Sequence, residues 1–357
     1  MRGIEEQQVE MFAYVQLEER IPKKHPLRQV KHLVDHVLSE LDSEFERLYS
    51  VMGRPGIPPE QLLRASLLQI LYTVRSERQL VEQLDYNLLF RWFVGLGLEG
   101  AVWDATSFTK NRERLMGGAI AQKFLDEVIG LAEKGHLLSE EHFTVDGTLI
   151  EAWASHKSFQ AKEVDSDDEP GTFKGHTRTN DTHQSVTEPD ARLYKKGAGK
   201  EAKLCFMGHV LMENRNGLVV NVQTTLATGT AEREAALTML KDRSDITLGG
   251  DKGYDVWQFH QDLKEQTITS HIAWKEGRWP GVERWEILQT RAYKMSQLKR
   301  KRIEEIFGWM KTIGSIRKVK LRGLAGVSWL FDLNAAAYNL IRIKNLKPRL
   351  SKILQTA

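Results

Sequence analysis

The stretch HFTVDGTLIEAW, residues 142–153, decides how the rest of the chain is read. Phe143 and Val145 alternate with Thr144 and Asp146, the period-two pattern of a strand. Downstream, CFMGHVLMEN (205–214) and GLVVNVQTTLA (217–227) read as two further strands. They meet at Asn214-Arg215-Asn216-Gly217, a hairpin signal. AEREAALTMLKDR (231–243) reads as a helix and DITLGGD (245–251) as a short strand ending at Asp251. VWQFHQDLKEQ (256–266) is helical and SHIAWK (270–275) is another short strand. KRKRIEEIFGWMKTIG (299–314) has the pattern of an amphipathic helix, and GVSWLFDLNAAAYNLIRIK (326–344) that of a mostly buried one. Strands alternating with helices in this order predict an α/β fold with a mixed sheet.

Outward from this core the character changes twice. Residues 155–203 are polar, with an acidic run at Asp165–Glu169, and read as a long insertion or loop. Residues 1–125 read as helical throughout. HPLRQVKHLVDHVLSELDSEFERLYS (25–50) spaces its apolar residues for one helix face. Pro58 and Pro59 suit the start of a helix over PEQLLRASLLQILYTVR (59–75). Ser76, with Gln79 after it, looks like a capping box; RWFVGL is a further helix; Thr106 or Ser107 is the expected N-cap of the next. The expected division is a helical DNA-binding or dimerisation domain (1–125), a catalytic domain (126–345) and a basic tail (346–357). Short helices with tight turns fit a helix-turn-helix-like binder and a plain dimerisation domain equally well.

Composition excludes several classes. At 357 residues the chain has room for about two domains. The single Cys205 forms no internal disulfide and builds no thiolate zinc site alone. No apolar run is long enough to span a membrane, and MRGIEEQQVEMF lacks the pattern of a signal peptide, so a cytoplasmic, nucleoid-associated location is expected. Net charge is +3, but from Lys294 onward 15 Lys/Arg face only Glu304, Glu305 and Asp332, a surplus of +12. An asymmetry of that size points to a polyanionic partner at the C-terminal end.

Three acids fall on different elements: Asp146 on the first strand, Asp251 after a later one, Glu304 on a late helix. Carboxylates gathered from separated elements suit Mg²⁺, which takes oxygen ligands and keeps several waters. Two such ions activate an attacking oxygen and stabilise the leaving oxygen of a phosphodiester, with no nucleophilic side chain. On an ideal helix Glu304 falls about 40° and Lys311 about 20° from Arg300, so the three share a stripe. Glu305 lies on another face, near Lys301, and reads as an i, i+4 ion pair. A plain Arg300–Glu304 pair explains the stripe as well as a site does.

Taken together, FTVDGTLIEAWAS around Asp146, LGGDKGYDV around Asp251 and KRKRIEEIFGWMKT around Glu304 resemble the DDE transposases of bacterial insertion sequences, of the insertion-sequence-five type within the insertion-sequence-four superfamily. That superfamily places Tyr, two residues, Arg, three residues, Glu, six residues and Lys around its last acid. Arg300, Glu304 and Lys311 fit the spacing, whereas Gln297 stands at the tyrosine position. The resemblance spans roughly residues 25–345. It implies a ribonuclease-H-like core behind an all-helical N-terminal domain. It implies Asp146, Asp251 and Glu304 as catalytic ligands of Mg²⁺ (or Mn²⁺), and Arg300 and Lys311 as phosphate contacts. The partners implied are double-stranded DNA, as terminal inverted repeats and target, and a second copy of the chain on that DNA.

Further DNA contacts are expected at Lys252, Tyr254, Lys301, Arg302, Lys318 and Lys320. Trp274, Trp279 and Trp285 lie among basic residues, a pattern for base stacking or, more commonly, packing. Asp255 reads as a cap or a surface pair. An inactive DNA-binding derivative and a nuclease without strand transfer are the competing readings.

Overall fold

A computed structural model describes residues 16–49, 52, 56–162, 178–197, 199–276 and 281–346. Eight helices precede the first strand among the described residues: α1 (Leu17–Arg20), α2 (Pro26–Glu40), α3 (Asp42–Leu48), α4 (Pro59–Leu71), α5 (Glu77–Tyr86), α6 (Leu88–Val94), α7 (Ala105–Gly117) and α8 (Ile120–Lys134). The single helix expected from residue 25 breaks at Leu41. The α4 helix stops at Leu71, and Thr73 takes a left-handed φ of 54°. Ser76 caps α5 by accepting from the Gln79 N–H, as its position implies. The cap of α7 is Asp104, not Thr106 or Ser107; its carboxylate accepts from both of their amides at 2.9 Å. A carboxylate at that end also complements the helix dipole, which a hydroxyl does not.

The strands are β1 (His142–Ala152), β2 (Phe159–Ala161), β3 (His183–Ser185), β4 (Arg192–Tyr194), β5 (Lys203–Glu213), β6 (Val219–Leu226), β7 (Thr247–Gly250), β8 (Thr269–Ile272) and β9 (Lys318–Val319). Between and after them run α9 (Ala231–Leu240), α10 (Trp257–Glu265), α11 (Val282–Gln289), α12 (Arg291–Arg300), α13 (Arg302–Thr312) and α14 (Gly323–Asn345). The main sheet runs β4-β5-β1-β7-β8, with β6 on β5 and β9 on β1. Strands β1, β5 and β6 pair antiparallel; β1, β7 and β8 pair parallel. An antiparallel hairpin joined through one central strand to parallel strands, with helices on both faces, is the ribonuclease-H-like arrangement. The polar insertion supplies β2, β3 and β4; residues 163–177 of it lie outside the described residues, as does most of the 346–357 tail.

The hairpin between β5 and β6 forms where the sequence places it. Gly217 takes φ 71°, and the buried Glu213 carboxylate accepts from the amides of Arg215, Asn216 and Leu218. On one face of the sheet, α14 comes close enough that a Cβ at Gly208 would meet the Phe331 ring at 2.7 Å. Asn339 of α14 is fully buried and bonds both the N–H and the C=O of Val219, at 2.9 and 2.8 Å. That pairing avoids the 1–3 kcal/mol cost of an unsatisfied buried amide.

One hydrophobic cluster runs without interruption from α2, α4 and α8 through α14 to Phe206, Val210 and Val219. A second lies on the other face, where Phe143, Val145 and Leu248 meet Met239 of α9 and Phe259 of α10. The α8 helix crosses the expected 125/126 boundary and packs on α14, so helical region and sheet share a core. No helix of the described residues is long and apolar enough to cross a membrane.

Candidate active site

The sheet register brings two of the three acids together. Thr144 of β1 stands opposite Gly249 of β7 in parallel pairing. Two residues further on, Asp146 and Asp251 reach the same level on neighbouring tracks, and a step of two keeps each on its face. Adjacent strands are about 4.8 Å apart. Pairing with β1 ends at Gly249 and β7 itself at Gly250, so a notch opens there between β1 and the departing chain. Asp146 accepts from the Gly147 N–H at 2.8 Å, and Asp251 caps a short turn by accepting from the Gly253 N–H at 2.7 Å. Burial pushes the Asp146 carboxyl up to about 6; the charges of Asp251 and Glu232 push the same way, while the Gly147 N–H and Lys196 oppose them.

Glu232 and Lys196 are the site residues that sequence reasoning missed. Glu232 lies in the first turn of α9 and reaches into the notch from the opposite face. Its Oε1 lies 2.9 Å from where a Cβ on Gly147 would be, and its Oε2 3.8 Å from the equivalent point on Gly253. Burial raises its pKa, helped by the charge of Asp251. Lys196 is exposed and acts on Asp146, Glu232 and Lys311. No spacing rule points to either residue; an acid opening the helix after the hairpin was the available clue.

The third expected acid is placed differently. The helix expected over 299–314 is divided at Lys301, which ends α12 and opens α13. Arg300 and Glu304 therefore sit on different helices. Glu304 is exposed, and neither the Arg300–Glu304 nor the Lys301–Glu305 ion pair forms. Glu305 acts on Tyr338 of α14, away from the aspartates. Lys311 is half-buried; burial, Lys196 and Arg317 lower its pKa and Asp146 opposes them. Since α13 packs on β1, the Lys311 end of the stripe lies over Asp146. The Arg300 Nε is buried without a hydrogen-bond partner.

Two expected DNA contacts are corrected. Tyr254 is fully buried in the second core against Phe259, because the turn after Asp251 folds its ring under α9 and α10. Arg302 donates to the Asn214 and Arg215 carbonyls at 3.3 and 2.9 Å, tying α13 to the hairpin turn. Lys252 is exposed beside Glu276, and Lys301 is exposed. Lys318 and Lys320 both lie over the half-exposed Trp153 ring, at 5.3 and 5.5 Å. Lys318 also pairs with Glu151, and Lys320 donates to the Arg75 carbonyl. The β9 strand meets β1 at Glu151, five residues or about 16 Å from Asp146. Asp255 is a cap, as one of its two expected roles has it: it C-caps the short turn Lys252–Tyr254 by donating its N–H to the Lys252 carbonyl, while its carboxylate pairs with Arg284 and His260 and accepts from the Lys275 N–H at 2.6 Å. Trp274 and Trp285 pack edge to face at 6.1 Å; Trp279 lies outside the described residues.

Residues 139–340 match the family described as "Transposase DDE domain". The chain belongs to this family. This DDE transposase also matches "Transposase domain (DUF772)" over residues 15–114. No curated protein matches it. It is similar to the piggyBac transposase synaptic complex with hairpin DNA, at 9% identity and a TM-score of 0.42, covering 93% of this chain and 79% of that one. It is also similar to the Mos1 transposase paired-end complex with left transposon end, at 13% identity and TM-score 0.20, covering 82% and 93%. For the Mos1 mariner paired end complex with Mn the values are 13%, 0.19, 83% and 98%.

As a DDE transposase the chain is an enzyme of DNA cleavage and strand transfer, and the family works with divalent metal ions. The donors here fit such ions: hard carboxylate oxygens that raise one another's pKa, with Lys196, Lys311 and Arg233 as the neighbouring cations. Among the described residues no three His, Cys, Asp or Glu side chains form a ready-made cage. A cation that keeps several waters needs none.

Proposed function

We propose that this transposase serves an insertion sequence of the insertion-sequence-five type, within the insertion-sequence-four superfamily. Asp146, Asp251 and Glu304 are its catalytic acids and would hold two Mg²⁺, with Mn²⁺ able to replace them. Those ions supply Lewis acidity at both oxygens of the phosphodiester being exchanged. The observation that carries this reading is the placement of Asp146 on β1 and Asp251 just past the end of the adjacent parallel β7, where burial first, and then the charges of Asp251 and Glu232, push Asp146 up to about 6.

The protein's own groups do the positioning. Asp146 and Asp251 each engage a backbone amide through one oxygen, which leaves the second oxygen of each for a ligand. Lys196 and Lys311 stand beside them as cations for a phosphate oxygen. Arg300 and Glu304 enter from the α12–α13 junction, where a DNA end would bring them in. Lys318 and Lys320, with Trp153 between them, continue the basic track toward flanking duplex. Lys252 and Lys301 are the remaining exposed candidates for backbone contact.

Residues 1–125 would bind or pair element ends, and 126–345 would cut and join them. The basic segment 346–357 adds sequence-independent affinity. The working assembly is a homodimer holding two inverted repeats, in the bacterial cytoplasm with the nucleoid.

The test uses duplexes carrying the inverted repeats that flank the gene, with Mg²⁺ present. Cleavage at the repeat ends followed by joining to a target supports the reading. Cleavage with no joining makes the protein a nuclease. Binding to correct ends without cleavage makes it an inactive DNA-binding derivative.

A further inference from the structure

Glu232 belongs to the acidic notch by position, although it comes from the far side of the sheet. The α9 helix begins directly after the β5–β6 hairpin and packs across β5, β6 and β1. Glu232 is its second residue, so its side chain extends from the helix end that overhangs the notch. Two points fix the carboxylate. Oε1 lies directly above the Gly147 backbone, one residue from Asp146. Oε2 and the Asp251 Oδ1 lie 3.8 and 2.9 Å from one common point, the Cβ position of Gly253. Gly147 leaves open the volume that this carboxylate occupies, and Gly253 the volume that the Asp251 carboxylate occupies. No ion pair or hydrogen bond holds Glu232 among the described residues; the cations acting on it are Lys196 and Arg233.

A second observation points to a missing ligand at the same place. Two fully buried side chains beside Glu232 each carry a polar atom with no hydrogen-bond partner, the His209 Nδ1 and the Tyr254 hydroxyl. His209 bonds the Thr225 hydroxyl through Nε2 at 2.8 Å, but its Nδ1 bonds nothing. That Nδ1 lies 3.2 Å from the same Cβ position on Gly147 that Glu232 approaches at 2.9 Å. The Tyr254 hydroxyl is likewise unpartnered, and the charges acting on it are Glu232, Asp146 and Asp251, followed by Arg233. Leaving such groups unsatisfied costs roughly 1–3 kcal/mol each. A hydrated cation in the notch offers waters to both and removes the crowding of carboxylates.

We propose that Glu232 is a fourth acidic residue of the centre, a carboxylate ligand of a divalent cation shared with Asp251, whose hydration shell Tyr254 and His209 complete. The proposal rests on the metal-dependent reading above and adds to it a ligand from α9. It also assigns the acids an order of engagement. In this proposal Asp251 and Glu232, beside Asp146, give the first cation its carboxylates, whereas Glu304, exposed on α13, engages with the substrate. Cation affinity of the free protein therefore depends on Glu232 and hardly on Glu304.

The experiment is Mn²⁺ binding to the full-length, DNA-free protein, followed by the electron paramagnetic resonance signal of free Mn²⁺. Wild type is compared with Glu232→Gln, Glu232→Asp, Asp146→Asn, Asp251→Asn and Glu304→Gln. Thermal unfolding without metal is measured on each. The expected result is a tenfold or greater loss of Mn²⁺ affinity in Glu232→Gln, similar to Asp251→Asn, with a metal-free melting temperature at or above wild type. The metal-free effect follows because the substitution removes one of three crowded negative charges. Should the glutamine variant not fold, Glu232→Asp decides: its shorter arm keeps the charge and is expected to bind Mn²⁺ several-fold more weakly. Wild-type affinity in the folded Glu232 variants, with loss in both aspartate variants, overturns this proposal alone. Wild-type affinity in the aspartate variants as well overturns the metal-centre reading and this proposal with it.

Discussion

The strands and the α12–α13 segment carry their acids in different physical conditions. Asp146 and Asp251 each stand two residues beyond the last pair of the parallel β1–β7 register, Thr144 and Gly249, and each has a backbone amide bond. Burial of Asp146 is deep enough to push its carboxyl up to about 6. Glu304 sits in the first turn of an 11-residue helix, just past a break at Lys301, exposed and without an ion pair. A sheet sets positions through hydrogen bonds between strands, so a misplaced acid would require the whole register to slip. The start of α13 is held by side-chain contacts alone, the apolar Ile303, Ile306, Phe307 and Met310 beneath it and the Arg302 bonds to the hairpin turn. The difference teaches that the two aspartates are set by the strands of the sheet, whereas Glu304 is set by how one short helix packs.

The largest effect that would sharpen this contrast is on cleavage. Asp146→Asn or Asp251→Asn is expected to lower Mg²⁺-dependent strand cleavage by about 10⁴-fold while the far-ultraviolet dichroism stays native. Parallel loss of folding in both would break the account. Next, Glu304→Gln is expected to lower cleavage by about 10³-fold yet leave Mn²⁺ binding of the DNA-free protein near wild type. An equal loss of Mn²⁺ binding would place Glu304 with the aspartates and erase the contrast.

Burial without a cation site nearby gives a control for the strand region. Asp332 of α14 is buried, and burial followed by the Asp126 charge pushes it up to about 7. In the unfolded chain an aspartate titrates near 3.9. Between those values the folded state holds more protons than the unfolded state, so stability falls as pH rises from about 4 to about 7. Asp332→Asn is expected to flatten that slope, which is worth at most roughly 4 kcal/mol, in denaturant titrations at pH 4, 5.5 and 7.5. An unchanged slope would show that burial alone does not shift acids in this fold. The smallest effect concerns the basic track. The double charge reversal Lys318→Glu with Lys320→Glu is expected to weaken duplex binding about tenfold. It is also expected to reduce the slope of log K against log salt by about 2. A weaker affinity with an unchanged slope would mean that these lysines act through Trp153 and Glu151 rather than on phosphates.

Much of the catalytic half was legible in the sequence because period and turn chemistry agree there. The alternation in β1, the Asn-Gly hairpin and the apolar face of α14 each leave local marks. Those marks give the order of elements along the chain; the sheet order, and with it the approach of Asp146 and Asp251, arises from tertiary pairing. The break at Lys301 left none: Lys301 keeps a right-handed helical backbone, and no Gly or Pro announces the division. Asp104 was passed over as a cap because the hydroxyls after it look equally suitable; only the carboxylate reaches two amides. Tyr254 and Arg302 were misread because burial and carbonyl partners arise from tertiary packing. Glu232 and Lys196 lie 86 and 50 residues from Asp146 in the chain, and only the fold makes them neighbours of it.

The central claim is that Asp146 and Asp251 face one divalent cation across the notch between β1 and the end of β7. The most direct measurement is an anomalous difference map from crystals of the wild-type protein grown with Mn²⁺. A peak within bonding distance of carboxylate oxygens from both aspartates is the predicted result. Mn²⁺ bound elsewhere, with the notch filled only by water or a lysine ammonium, would contradict it.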